Sequence, residues 1–292
     1  MVEHEEMQYL NLIKNILANG YTEDGRNGET ISLFGASMRF SLKNNTIPIF
    51  TTKKIAWKTC LKELLWFIKG ETDNNILNKQ NVHIWDDNSS KEFMNTRGLN
   101  NYNNGLLGPI YGFQWRHFNA EYDRNTGKPL TQGIDQLGQI IESLKNVDTR
   151  NSRRLIMTAW NPCQINEMAL PPCHVLCQFN VHNGNQLSCC LYQRSGDMGL
   201  GVPFNIASYS FLTHLIAHIC GLEAFELVYF LGNAHIYSNH IEKLKEQIIR
   251  EPLTFPTLSI INCRENINNF LISDIEVYDY NCHKHIKMDM VV

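Results

Sequence analysis

Helix-type and strand-type hydrophobic patterns alternate along the whole chain, and no internal repeat or Pro/Ser-rich linker interrupts them. Apolar residues at helical spacing predict helices in residues 7–17, 57–69, 134–144, 205–219 and 239–249. Short runs rich in β-branched and aromatic residues predict strands in residues 155–160, 175–181, 187–192, 225–230, 257–261 and 275–278. Interspersed elements of this kind favour one α+β domain over residues 1–292.

Glycines mark two expected chain reversals. Gly20 follows the first predicted helix, and we expect it to cap the end of that helix. Asn183 and Gly184 lie between two predicted strands, and this pair is typical of a tight β-hairpin.

Charge and cysteine content limit the possible partners and compartments. The net charge of -3 lacks the basic excess that bulk binding of nucleic acid or an anionic membrane requires, so an anion site must be a local arginine cluster. The nine cysteines are dispersed and odd in number, which favours thiols in a reducing compartment. The amino-terminal segment is acidic, and the most apolar later run, residues 211–222, contains polar side chains. We therefore expect a cytoplasmic protein without a membrane segment.

Cys173 follows two prolines in the segment ALPPCHVLCQFNV and directly precedes a predicted strand. The rigid turn would present its thiol at a strand edge, which suits a nucleophile. The alternative is a buried cysteine that acts as a small apolar side chain. His174 is adjacent, but neighbouring strand residues point to opposite faces, so the sequence does not favour a Cys/His hydrolase.

The segment QRSGDMGLGVPFN, residues 193–205, concentrates recognition groups between a predicted strand and a predicted helix. Arg194 and Ser195 are suited to a phosphate, and Gly199 and Gly201 would let the backbone approach a ligand closely. A glycine-rich turn without a ligand is the alternative. The spacing is not that of the dinucleotide-binding GxGxxG motif.

Three further charged residues each have two interpretations. Glu63 shares a helical stripe with apolar neighbours, so it is either a carboxylate at the rim of the core or a cleft acid whose pKa burial raises. Arg153 and Arg154 stand just before a predicted strand, where they form either an exposed strand entrance or part of an anion site.

Taken together, these segments resemble the thymidylate synthase family. The similarity covers almost the whole chain, through the motifs FGASMRFSL, KELLWFIKGETD, VHIWDDN, LGPIYGFQWRHF, SRRLIMTAWNP, ALPPCHVLCQF, YQRSGDMGLGVPFNIASYS and HIYSNHIEKLKEQIIREP. Their order and spacing are those of the family, and the longer segments resemble its eukaryotic type.

The resemblance implies reductive methylation of dUMP to dTMP, with 5,10-methylenetetrahydrofolate as co-substrate, dihydrofolate as second product and no metal. Cys173 would attack C6 of the uracil ring, and Glu63, Tyr111 and Arg194 would be the other catalytic residues. The resemblance also implies a large mixed β-sheet with surrounding helices, which packs at a homodimer interface. Arg153 and Arg154 would be donated across that interface, and nucleic acid would not be needed for catalysis.

The family match also implies binding residues for both substrates. The residues that would bind dUMP are Arg26, Arg153, Arg154, Gln193, Arg194, Ser195, Asp197, Asn205, His235 and Tyr237. Within that set, the arginines and the serine would hold the phosphate, Asn205 the uracil edge, and His235 and Tyr237 the deoxyribose. The residues that would contact the folate are Ile84, Trp85, Asp197, Gly201, Leu222, Phe225 and Val291.

The chain departs from the family pattern in several places. The spacing after Arg26 is slightly shorter, Asn233 and Leu106 replace acidic residues, and the segment NCHKHIKM near the carboxyl terminus lacks two prolines. A pyrimidine hydroxymethylase, the nearest alternative, would carry aspartate in place of Asn205. An inactive nucleotide-binding or RNA-binding relative would have no need of the complete reactive set.

Overall fold

A mixed β-sheet of six strands dominates the computed structural model, which describes residues 3–25 and 28–291. The six strands are β1 (Tyr21–Gly25), β2 (Gly28–Ser41), β3 (Ile156–Thr158), β4 (His174–His182), β5 (Gln186–Asp197) and β6 (Glu223–Tyr237). Their spatial order is β1-β2-β6-β5-β4-β3, and only the β5–β6 pair among these neighbours is parallel. A separate antiparallel pair consists of β7 (Thr257–Ile260) and β8 (Ile275–Tyr278).

Nine α-helices in the described residues pack around the sheet. They are α1 (Met7–Asn19), α2 (Trp57–Ile68), α3 (Asn74–Asn78), α4 (Asp86–Ser89), α5 (Lys91–Thr96), α6 (Tyr111–His117), α7 (Gln136–Lys145), α8 (Gly201–Cys220) and α9 (Ile241–Gln247). Helix α8 is buried on nearly its whole circumference because it lies between the β5–β6 face and α2. Across the described ranges, none of the helices combines the length and the apolar character needed to span a membrane.

Strand direction brings four chain segments to one edge of the sheet. Because β5 and β6 are parallel, both end at that edge. Strand β4 is antiparallel to β5, so its first residue, His174, pairs with Gln193 near the end of β5. Helix α8 starts shortly after β5 ends. The residue before β4, the ends of β5 and β6 and the first turn of α8 are therefore neighbours.

The predicted α+β architecture with a mixed sheet is confirmed, and so is the hairpin between β4 and β5. Asn183 and Gly184 have φ values of 48° and 83°, the left-handed conformations that a two-residue hairpin turn requires. Helix α8 begins at Gly201 rather than at residue 205. Pro203 does not prevent this, because the N–H groups of the first helical turn have no partner within the helix.

Gly20 ends helix α1, as predicted. Its N–H donates to the Ile16 carbonyl at 2.8 Å, and its φ of −72° and ψ of 159° turn the chain into an extended conformation. A Cβ at this position would lie 2.5 Å from the Ile16 carbonyl oxygen and 2.6 Å from Cγ2 of Ile31. Glycine is needed here because β2 packs closely against the end of α1.

Candidate active site

A cleft of about 1140 Å³ opens at the edge where β5 and β6 end. Its volume slightly exceeds the roughly 300–1,000 Å³ usual for a small-molecule site, so the cleft is large for one ligand. The site residues predicted from the sequence that line it are Glu63, Ile84, Trp85, Tyr111, Cys173, Gln193, Arg194, Ser195, Asp197, Gly201, Asn205, His235, Tyr237 and Val291.

Arg194 holds the loop that carries Cys173. Its Nε donates to the Pro172 carbonyl at 3.0 Å and its Nη2 to the Pro171 carbonyl at 2.9 Å. The Arg194 backbone N–H donates to the Cys173 carbonyl at 3.0 Å. Two of the five guanidinium N–H donors are thus used to fix the loop, and the positive charge stays within the cleft beside the cysteine.

Tyr111, the first residue of α6, contacts the same loop from the other side. The Cys173 backbone N–H donates to the Tyr111 hydroxyl oxygen at 2.8 Å. Burial raises the pKa of Tyr111 well above its usual value, so the phenol keeps its proton near neutral pH. The Tyr111 hydroxyl is thus a proton donor next to the cysteine.

Glu63 lies on the buried face of α2, where the Trp85 indole N–H donates to its Oε1 at 2.7 Å. Burial raises the pKa of Glu63 to about 7, although the bond from Trp85 acts in the opposite direction. A carboxyl group with this pKa can take up and release a proton near neutral pH. Of the two interpretations of Glu63, the structure supports the cleft acid.

A chain of three polar side chains fixes the amide of Asn205. The Tyr229 hydroxyl donates to Gln193 Oε1 at 2.6 Å, and Gln193 Nε2 donates to Asn205 Oδ1 at 3.0 Å. Because an amide nitrogen can only donate, these bonds set which side of each amide is oxygen and which is nitrogen. Asn205 therefore presents a defined donor and acceptor edge in the cleft.

Asp197, the last residue of β5, is held as a carboxylate. Its oxygens accept the backbone N–H groups of Gly199 at 2.8 Å and Leu200 at 3.0 Å, and His240 lies 3.6 Å away. Burial alone would raise the pKa of Asp197, but His240 and these backbone donors bring it below its usual value. His235, which pairs with Asp197 on the neighbouring strand β6, donates from Nδ1 to Asn233 Oδ1 at 3.0 Å.

An apolar wall faces these polar groups. Ile84 and Trp85 form one part of it, and Leu200, which precedes α8, forms another with Phe204 in the first turn of that helix. Near the carboxyl terminus, Ile286, Met290 and Val291 also line the cleft. Leu200 and Phe204 were not predicted individually, although both lie in the segment QRSGDMGLGVPFN that the sequence singled out.

The structure contradicts the predicted folate contacts of Leu222 and Phe225. Leu222 directly precedes β6 and Phe225 is its third residue, whereas the cleft is at the other end of the strand, at His235 and Tyr237. At about 3.3 Å per residue the two ends of this strand are roughly 30 Å or more apart. Phe225 instead packs against His182 and lies under the Lys43 ammonium group.

Two predicted phosphate-binding arginines are not brought into the cleft. Arg153 and Arg154 are exposed in the turn before β3, which is an outermost strand of the sheet, and neither lines the cleft. A third predicted arginine, Arg26, lies outside the described residues.

Lys53 is a cleft residue that the sequence did not reveal. It is 3% exposed, its ammonium group donates to the Gly199 carbonyl, and burial lowers its pKa to about 8 despite the nearby Asp197 charge. A single lysine in the pair Lys53–Lys54 gives no sequence signal that separates it from a surface lysine. Within the described ranges, no group of three or more His, Cys, Asp or Glu side chains is arranged to hold a metal ion.

The fold and the cleft define an α+β protein with a cysteine-lined ligand site at the carboxyl ends of two parallel strands. The model of the family "Thymidylate synthase" matches residues 7–292. The chain therefore belongs to the thymidylate synthase family.

Relatives with similar sequences include single-function and bifunctional proteins. The thymidylate synthase of Homo sapiens is 51% identical, over 99% of this chain and 91% of the human protein. That of Ascaris suum is also 51% identical, over 100% of this chain and 98% of the nematode protein. The bifunctional dihydrofolate reductase-thymidylate synthase of Leishmania major is 51% identical over 99% of this chain. The chain spans only 56% of the length of that bifunctional relative.

Proposed function

We propose that this protein methylates dUMP to dTMP, with 5,10-methylenetetrahydrofolate as co-substrate and dihydrofolate as the second product. Membership of the thymidylate synthase family supports this proposal. The observation that carries it is the position of Cys173, held between Arg194 and Tyr111 in the cleft that also contains the oriented amide of Asn205.

The nucleotide would lie along the ends of β5 and β6. Arg194 and Ser195 would bind its phosphate, together with Arg26 and with Arg153 and Arg154 from a second subunit. The Asn205 amide matches the uracil edge, which offers one N–H donor between two carbonyl acceptors, and Gln193 orients it. His235 and Tyr237, at the end of β6, would bond the deoxyribose hydroxyl.

The other half of the cleft fits a flat folate. Trp85, Ile84, Leu200 and Phe204 offer apolar and aromatic surface for its rings, and Gly201 leaves the wall open at the start of α8. Asp197 is kept as a carboxylate, which suits the N–H groups of a pterin. Val291 would help to cover the bound rings. When bound, methylenetetrahydrofolate supplies the one-carbon unit and then a hydride.

The residues of this chain would act on the pyrimidine. The Cys173 thiolate, stabilised by the nearby Arg194 charge, forms a bond to C6, and the electrons of the C5–C6 double bond move toward C5 and the C4 oxygen. Glu63, with its pKa near 7, would exchange protons on the side of the C4 oxygen. Tyr111 keeps its own proton, so it would orient a water molecule that accepts the proton released from C5. The sulfur–C6 bond breaks again when the product forms.

A turnover assay and a trapping experiment test this function. We expect dihydrofolate to appear, by its absorbance, when the protein is mixed with dUMP and methylenetetrahydrofolate. With 5-fluoro-dUMP and the same folate, we expect a stable covalent complex of protein, nucleotide and folate, visible as a mass increase on the Cys173 peptide. Absence of turnover with both dUMP and dCMP would refute the proposal, and a preference for dCMP would instead indicate a hydroxymethylase-type enzyme.

We further propose that the protein is a homodimer that packs through its β-sheet. The uncovered face carries Phe34 on β2, Tyr192 on β5 and Phe230 on β6, which are 84%, 38% and 43% exposed. These side chains border one shallow depression on the sheet. An apolar patch on a sheet face is typical of a protein interface. A partner packed there could supply the Arg153 and Arg154 that each subunit's own cleft lacks.

The substitution Phe34→Asp tests the dimer. Because Phe34 is almost fully exposed, the change should leave the single subunit folded while placing a charge in the proposed interface. We expect a shift toward monomer in sedimentation experiments and at least a tenfold lower activity, roughly the loss of one charge-assisted contact to the phosphate. Val147→Asp, at another exposed apolar residue, is the matched control and should remain dimeric and active. A monomeric wild-type protein with full activity would contradict the shared site.

A further inference from the structure

His240 is a buried residue that none of the proposed steps uses. It ends the short 3₁₀ turn Ser238–His240, between β6 and α9, and is 1% exposed. One ring nitrogen, Nε2, lies 2.8 Å from the backbone carbonyl oxygen of Asp289. The other, Nδ1, lies 3.6 Å from Oδ1 of Asp197, an ion-pair distance. His240 thus stands between the Asp197 carboxylate and the C-terminal tail, defined here as residues 285–291.

Both neighbours of the His240 ring are hydrogen-bond acceptors. A neutral imidazole donates from only one nitrogen, so its other lone pair would face either a carbonyl or a carboxylate oxygen. An imidazolium donates to the Asp289 carbonyl and places its positive charge beside the Asp197 carboxylate, at an ion-pair rather than a hydrogen-bond distance. The other titratable groups facing the ring are Lys53, from the loop before α2, and the Tyr237 ring from the end of β6. Burial and the Lys53 charge lower the pKa of His240, but Asp197 and the Asp289 carbonyl outweigh them and raise it above its usual value.

Gly199 shows how closely these parts approach one another. A Cβ at this position would lie 2.6 Å from His240 Nδ1, 3.1 Å from Met288 Sδ in the tail and 3.2 Å from Asp197 Oδ1. The Gly199 N–H donates to Asp197, and its carbonyl accepts from the Lys53 ammonium group. The carboxylate, the histidine and the tail therefore form one contact cluster with no space for an additional methyl group.

We propose that His240 is a positioning residue whose imidazolium binds the C-terminal tail to Asp197, so that tail closure and the assembly of the folate half of the cleft occur together. The part of this inference that concerns the folate rests on the proposed function. The part that concerns the tail does not, because the contacts among His240, Asp197 and Asp289 exist in the protein alone.

Protection of the tail from trypsin, which cleaves after Lys287, tests the proposal without any substrate. His240→Gln keeps an N–H donor group but removes the charge that faces Asp197. We expect cleavage after Lys287, followed by mass spectrometry, to become about tenfold faster, the effect of losing one charge-assisted contact. His214→Gln is the matched control, since His214 is also buried but lies in α8 and bonds the Thr46 carbonyl. Unchanged tail protection in His240→Gln, or an equal loss in the control, would overturn the proposal.

The wild-type protein offers a second test that does not depend on a variant folding. A raised pKa in the folded state means that the contact is complete at low pH and is lost as pH rises through the folded pKa. We therefore expect the wild-type tail to become more susceptible to cleavage, relative to a free peptide of the same sequence, as pH rises through the folded-state pKa of His240. Protection that does not change with pH would contradict a charged His240.

Steady-state kinetics connect the tail to the folate site. For His240→Gln we expect KM for methylenetetrahydrofolate to rise about tenfold, with KM for dUMP nearly unchanged. We also expect the rise of the wild-type folate KM with pH to disappear in the variant. Equal increases in both KM values would indicate a purely structural role. If the protein did not turn over dUMP at all, the proposed function would fail, whereas the proteolysis experiments would still decide the role of His240.

Discussion

Cys173→Ser should lower dihydrofolate formation from dUMP by about 10⁴-fold or more, since loss of a covalent nucleophile typically costs several orders of magnitude. A serine hydroxyl is a much weaker nucleophile than a thiolate at neutral pH, and the uracil double bond does not react until a nucleophile has added to C6. The loop itself should stay in place, because Arg194 and Tyr111 bond to backbone atoms at residues 171–173, which the substitution does not change. Initial rates measured by absorbance give the result.

Cys163→Ser is the matched control for this substitution. Cys163 lies in the segment leading to Cys173 but is exposed. We expect it to keep wild-type activity, and to form the complex with 5-fluoro-dUMP that Cys173→Ser cannot form. Substantial turnover by Cys173→Ser would show that another residue is the nucleophile.

Glu63→Gln should lower kcat by about 10²- to 10⁴-fold, the usual contribution of a positioned acid or base. The substitution keeps the size of the side chain and an oxygen that can accept the Trp85 N–H, but it removes the exchangeable proton. We expect the KM values to change little. Glu242→Gln, an exposed glutamate on α9 that pairs with Lys245, is the control and should retain full activity.

The pH dependence of stability provides an independent check on Glu63. Burial raises its pKa from 4.5 to about 7, so the folded protein binds this proton more tightly than the unfolded chain. The carboxyl therefore lowers the free energy of unfolding as pH rises between those values, by about 3 kcal/mol in total, roughly 1.4 kcal/mol per pKa unit. Glu63→Gln should abolish this loss, so its unfolding free energy should exceed that of the wild type increasingly toward neutral pH. We would measure the unfolding free energies of both proteins by urea denaturation at several pH values in that range. A difference between the two proteins that stays constant with pH would contradict a buried, proton-binding Glu63.

Local sequence patterns predicted most of the elements whose hydrophobic residues follow one regular period. The hairpin with Asn183 and Gly184 was predictable because its turn conformation depends on those two residues alone. Strands β1 and β2 were not predicted. Strand β2 pairs with β6, some 200 residues later in the chain, and its exposed and buried residues do not alternate cleanly, so neither its partner nor its face is visible locally.

The candidate site shows a similar division. Cys173, Arg194 and Asn205 lie in compact motifs, and the resemblance of those motifs to a known family is enough to suggest their roles. The assignment of Leu222 and Phe225 to the folate was wrong, because both stand at the opposite end of β6 from the cleft. Leu200 and Phe204, within the already recognised motif, occupy the wall instead.

The sequence by itself determined the α+β class, the family and the types of reactive group, since these depend on residue identity and on local spacing. Only the tertiary structure shows that Glu63 lies in the cleft with a raised pKa, because its burial depends on elements outside its own helix. The same is true of Lys53 and His240, whose functional partners, Gly199, Asp197 and the C-terminal tail, are distant in the chain. Burial and long-range contacts set the charge state of such groups, and neither is encoded in the residues beside them.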